Sequence, residues 1–167
     1  MADHLDLETR FTAVADDGTV EGVGVAFNTV DSYRSEFAPD AFNVKGKIPM
    51  LWAHDSTQPI GSWSRFEARA DGLHIAGKLN LAVARAQEVR SLLQAGDVSG
   101  LSVGFRILKD TRLANGVRRI LQADLREISI VTFPAVPGSN VSTVRTAGRD
   151  YSALIRALTG ASATLRN

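Results

Sequence analysis

Segments that alternate apolar and polar residues recur along almost the whole chain, and most of them are separated by turn chemistry rather than by helix. This repetition limits the fold more than any other feature, because period-two segments must pair with one another and bury one face. Asp16-Asp17-Gly18 divides an expected strand over Leu5 to Ala15 from a second over Thr19 to Phe27, where Gly22 and Gly24 predict a bend or bulge. Lys47 to His54 reads as a strand that Asp55-Ser56-Thr57-Gln58-Pro59 breaks, and Ile60 to Ala70 pairs with Leu73 to Leu79 around Ala70-Asp71-Gly72. Leu113-Ala114-Asn115-Gly116 turns the chain into Val117 to Leu121; Leu125 to Phe133 is the last strong strand, stopped by Pro134 and Pro137. One helical pattern interrupts the series over Leu81 to Ala95, with Ala82, Ala86, Val89 and Leu93 on its apolar stripe, Asn80 as N-cap and Gly96 as the stop. Many strands around one helix predict a mainly β protein with flanking helices, a small barrel or sandwich.

The length, 167 residues, suits one domain, expected over residues 1–144. Residues 145–167 read as a linker and a short helix capped by Asp150, with Tyr151, Leu154, Ile155 and Leu158 as its stripe. That stripe suits packing on the domain, a dimer contact or docking to an assembly. Nineteen basic and 18 acidic residues nearly cancel, so no basic field argues for nucleic acid. The absence of cysteine removes disulfides, thiolate metal sites and a cysteine nucleophile, and three histidines are too few for a multi-histidine zinc site. No metal and no cofactor are expected. An N-terminus without an apolar signal region, and no run of 18 apolar residues, predict a soluble protein with no membrane partner.

Chemistry concentrates around Gly100-Leu101-Ser102-Val103-Gly104-Phe105, the opening of a strand expected to reach about Leu108. Alternation puts Leu101, Val103, Phe105 and Ile107 on a core face and Ser102, Gly104 and Arg106 on the other. Gly100 and Gly104 leave Ser102 a bare approach on both sides, suited to an extended peptide; without a partner base, Ser102 is an ordinary surface serine. His54, at the end of its strand, offers an imidazole, whose ordinary pKa of about 6.5 suits proton exchange. It also shares a strand face with Ile48, Met50 and Trp52 and so equally reads as a buried core histidine. Glu127 is an acid within an apolar strand, either the group that orients the imidazole or the partner of Arg106, Arg118 or Arg126. Asp55, adjacent to His54, is its rival for the orienting role. The spacing alone does not show that these residues meet.

Three segments, in this order, resemble the phage prohead (capsid maturation) serine proteases. They are Pro49-Met50-Leu51-Trp52-Ala53-His54-Asp55 followed by Pro59-Ile60-Gly61, then Gly100 to Phe105, then Leu125 through Phe133 to Pro134-Ala135. The similarity covers roughly Phe11 to Val144. That family is distantly similar to the herpesvirus assembly proteases, which implies a small closed β-barrel of about seven strands with flanking helices. The resemblance further implies a serine endopeptidase inside an immature capsid, of phage, prophage or gene-transfer origin. Its substrate would be a scaffold protein, or the N-terminal extension of the major capsid protein, often with self-cleavage, and a homodimer follows by analogy. His54 matches the family's catalytic histidine and Ser102 its nucleophile. Glu127 stands where the herpesvirus enzymes use a second histidine, with Asp55 still the alternative. Two other classes compete: a catalytically inactive, protease-like internal scaffold, and a single-strand nucleic-acid-binding barrel, which 7% aromatic residues and near-zero charge disfavour.

Overall fold

The computed structural model of the protein describes residues 15–143. The expected strand from Leu5 and the expected helix over Tyr151 to Leu158 lie outside them. Within them, eight strands and one helix follow in the order β1 (Thr19–Ala26), β2 (Ser35–Phe37), β3 (Ile48–Trp52), β4 (Asp55–Ala68), β5 (Gly72–Leu79), α1 (Ala84–Ala95), β6 (Gly100–Arg112), β7 (Arg118–Val131) and β8 (Val141–Thr143). All eight belong to one curled sheet, a mainly β architecture as the alternating segments predict.

The order runs β7-β3-β4-β5-β1-β8, with β6 along one edge of β7. The other edge of β7 is shared: β2 pairs in parallel with Arg118–Ile120, and β3 in parallel with Ile128–Ile130. The segment before β8 draws the ends of the sheet together. Val23 donates its amide to the Asn140 carbonyl at 2.9 Å, and Leu101 donates its amide to the Ser139 carbonyl at 2.9 Å. One short piece of chain thus links β1 to the start of β6.

Alternation decides the core. Ile128 and Ile130 of β7, Leu101 of β6, Met50 of β3 and Trp63 of β4 are fully buried between the curled faces. The Trp63 indole donates to the Ile128 carbonyl at 2.9 Å, which satisfies its buried N–H and pins β4 to β7. Truncating such a residue costs about 3–5 kcal/mol. Helix α1 buries Ala86, Val89 and Leu93, as its spacing predicts, and ends at Gly96 in left-handed geometry. Its start differs: the first helical residue is Ala84, and Asn80 instead accepts the Ala82 amide in a turn that precedes the helix. The stripe is correspondingly shorter, and Ala82 is exposed.

Three further differences bear on the site. Strand β6 continues beyond Leu108 to Arg112, and the two segments expected between Val117 and Phe133 are one strand, β7. The predicted break at Asp55–Pro59 lies inside β4: Trp52 pairs with Asp55 but Leu51 with Pro59, so three residues are accommodated as an irregularity. The long connection from Asn28 contains β2, held by an ion pair between Arg119 and Glu36 and by Arg119 donating to Asn28 at 2.9 Å.

Candidate active site

The site is assembled on the ladder between β6 and β7. Its register sets Ser102 opposite Ser129 and Gly104 opposite Glu127. Because Ile128 and Ile130 face the core, Glu127 and Ser129 must share the opposite face. On the far edge of β7, β3 pairs Trp52 with Ile130 and then stops. Its chain reverses at once, since Trp52 also pairs with Asp55, leaving Ala53 and His54 as a two-residue hairpin turn. A two-residue turn of type I′ has positive φ at both central residues, and here φ is 50° at Ala53 and 62° at His54. Neither residue is Gly, Asn or Asp, and an L-residue in this region costs roughly 1–2 kcal/mol.

Strand β7 holds the turn. The Ala53 amide donates to the Ile130 carbonyl at 3.0 Å, and the His54 amide donates to the Ser129 hydroxyl at 3.0 Å. The turn also takes His54 out of the alternation of Ile48, Met50 and Trp52. Its imidazole is therefore not a core group: 46% of the side chain is exposed, against 14% for Glu127.

The three residues converge across three neighbouring strands. His54 Nε2 lies 2.9 Å from the Ser102 hydroxyl, and His54 Nδ1 lies 2.6 Å from Glu127 Oε1. The Ser129 hydroxyl donates to Glu127 Oε2 at 2.6 Å. With Nδ1–H facing the carboxylate, Nε2 presents its lone pair to the serine O–H, the tautomer a general base needs.

The competing partners are engaged elsewhere. Asp55 accepts from the Thr57 hydroxyl at 2.6 Å and the Thr57 amide at 2.8 Å, which together hold its carboxyl below the ordinary carboxylate range. Arg106 and Arg126 pair with Asp124, and Arg118 pairs with Asp110, so none of the three pairs with Glu127. Ser102 lies on the face that alternation assigns it but is only 9% exposed.

The two glycines stand where the chain itself comes close. A Cβ on Gly104 would run into the Glu127 carboxylate, with Cγ at 2.8 Å and Cδ at 2.9 Å. A Cβ on Gly100 would meet the Val131 carbonyl at 2.7 Å and the Pro134 ring at 2.9 Å. Beside the pair, a cavity of about 300 Å³ is lined by both His54 and Ser102, with Phe37, Leu101, Phe105 and Val136 among its apolar walls. Ser129 is the polar residue that the reading of the sequence does not single out. The available signal was its place two residues after Glu127, on the same face.

The fold is similar to that of KSHV protease, solved in complex with a hexapeptide phosphonate inhibitor: the TM-score is 0.55 at 12% identity, over 74% of this chain and 63% of that one. Residues 5–153 match the model of the Caudovirus prohead serine proteases, and the chain belongs to that family. It is 32% identical over 149 residues to the prohead protease of Enterobacteria phage HK97, covering 84% of this chain and 66% of that protein. It is also 25% identical over 132 residues to a capsid polyprotein of Pseudomonas phage PAJU2, covering 75% of this chain but 20% of the polyprotein. The chain thus spans just under two thirds of the first relative and a fifth of the second. Among the described residues no helix is long and apolar enough to cross a membrane.

Proposed function

We propose that the protein is a serine endopeptidase of capsid maturation, with Ser102 as nucleophile, His54 as general base and acid, and Glu127 as the residue that orients the imidazole. The observation that carries this reading is the imidazole held between the Ser102 hydroxyl at 2.9 Å and the Glu127 carboxylate at 2.6 Å. Ser102 Oγ attacks the scissile carbonyl carbon as its proton passes to His54 Nε2. The tetrahedral intermediate then expels the amine, which takes that proton, and water repeats the sequence to release the acyl group. Glu127 accepts from Nδ1–H throughout and stabilises the imidazolium.

The substrate is a scaffold protein or the N-terminal extension of the major capsid protein, cut inside the assembling procapsid in the host cytoplasm, with self-cleavage and a homodimeric enzyme as parts of the same proposal. The names of the two phage relatives support a capsid-related substrate. Glu127 fills the space beside Gly104, and Val131 and Pro134 fill that beside Gly100, so the bare approach expected there is taken by the chain itself. An extended peptide reaches Ser102 instead from the apolar cavity, which receives one of its side chains. Confinement within a shell raises the effective substrate concentration, so a modest site suffices.

Co-expression with the neighbouring capsid and scaffold genes, read by intact mass, tests the reading. Wild type is expected to yield discrete fragments; Ser102→Ala is expected to leave its partners whole, a rate loss on the order of 10⁴–10⁶. Fragments from both would remove Ser102 from the mechanism. Intact partners with both, in assembled particles, would favour the inactive internal scaffold.

A further inference from the structure

We propose that Ser129 is a positioning residue for the general base, fastening both the backbone and the ring of His54 to one carboxylate. The inference rests on the proposed roles of His54 and Glu127. Regular pairing of β3 with β7 ends at Trp52 and Ile130, and Ala53 takes the last β7 carbonyl of that ladder. The His54 amide, turned by positive φ, finds a side chain instead, the Ser129 hydroxyl at 3.0 Å. A hydroxyl has one hydrogen, and this one goes to Glu127 Oε2 at 2.6 Å, since an ionised carboxylate only accepts. The other oxygen, Oε1, meets His54 Nδ1 at 2.6 Å.

The result is a closed ring of hydrogen bonds: His54 amide, Ser129 hydroxyl, the two oxygens of Glu127, and the imidazole of the same His54. It fixes the imidazole relative to its own backbone. A base on a strained, half-exposed turn otherwise has free rotation about both side-chain bonds and meets Ser102 only part of the time. Ser129 itself has no exposed surface, so substrate does not touch it and its influence passes entirely through its two partners.

Four variants isolate the hydroxyl. Ser129→Ala removes it; Ser129→Thr and Ser129→Val add the same bulk, with and without it; His54→Ala assigns the His54 signal. Turnover is followed on a peptide spanning a cut site mapped by intact mass. Alongside it, the low-field Nδ1 proton of His54 is followed by NMR of histidine-labelled protein. Ser129→Ala and Ser129→Val are expected to lower kcat roughly tenfold to a hundredfold, as a misplaced catalytic group does, with KM changed by less than about twofold. Both are expected to lose the Nδ1 resonance, and Ser129→Thr to keep the resonance and most of kcat. Wild-type kcat and an unchanged resonance in Ser129→Ala and Ser129→Val would overturn the proposal. So would equal losses in Ser129→Thr and Ser129→Val, which would assign the effect to packing. Should wild type cleave nothing, the protease reading fails, while the resonance still decides whether Ser129 holds the ring.

Discussion

Two hairpin turns of the same sheet solve the same problem with opposite chemistry. The β6–β7 turn places Gly116 at φ 81°, and the Asn115 side chain accepts the Val117 amide at 3.0 Å. Its residues are ones that reach this geometry at little cost, and its sequence announces it. The β3–β4 turn puts Ala53 and His54 in the left-handed region with no glycine, asparagine or aspartate to ease them. Its geometry is enforced from outside, by Ile130 and Ser129 of β7. Two such hydrogen bonds contribute about 1 kcal/mol each, comparable to the cost of the strained pair. The first turn serves the strands it joins. The second sacrifices local preference to aim a histidine, the kind of place where strain gathers at functional sites.

This contrast can be attacked from both sides. Beyond the loss of cleavage expected for Ser102→Ala, Glu127→Gln should have the largest effect. Its amide can present a donor to Nδ1 and favour the wrong tautomer, so cleavage should fall on the order of 10²–10⁴, measured as single-turnover rate on a mapped peptide. Unaltered cleavage would return the orienting role to Asp55. Gly104→Ala should come next. The new Cβ displaces the Glu127 carboxylate without disturbing backbone, so kcat should fall roughly tenfold to a hundredfold with little change in Tm. Smallest are the exchanges of turn chemistry. Gly116→Ala should cost about 1 kcal/mol by denaturant titration and leave cleavage unchanged. Ala53→Gly should be nearly neutral in stability, because relief of strain is offset by the entropy glycine loses on folding. If Ala53→Gly instead stabilised the fold by more than Gly116→Ala destabilises it, the strain at Ala53 would exceed the entropy that glycine loses on folding.

The same contrast explains what the sequence disclosed. Asn115-Gly116 and Asp16-Asp17-Gly18 were legible because their side chains carry the turn themselves; Gly18 donates to the Ala15 carbonyl at 2.8 Å. With Ile128 and Ile130 buried, Glu127 falls on the opposite face, since period two leaves no other choice. Of the two readings of His54, the one that buries it beside Trp52 fails for a definite reason. A turn imposed by a distant strand has no local signature, so the strand seemed to continue through it. Asn80 misled in the reverse way, being a good cap residue that caps a turn rather than the helix. That His54, Ser102 and Glu127 meet was not derivable from spacing, because the register of β3, β6 and β7 is a property of the whole sheet. The resemblance to a known family supplied that expectation, and the distances now give it a geometry.

The hold of β7 on the β3–β4 turn has a consequence for biosynthesis. The His54 amide is fastened to a residue 75 positions later in the chain. At 5–20 residues per second, a ribosome takes roughly 4–15 s to add that length. Until β7 has emerged and settled between β3 and β6, the turn lacks its outside support and the imidazole lacks its carboxylate. A nascent or truncated chain therefore carries the serine and the histidine but no ordered imidazole, and this cluster is among the last parts of the sheet to be completed.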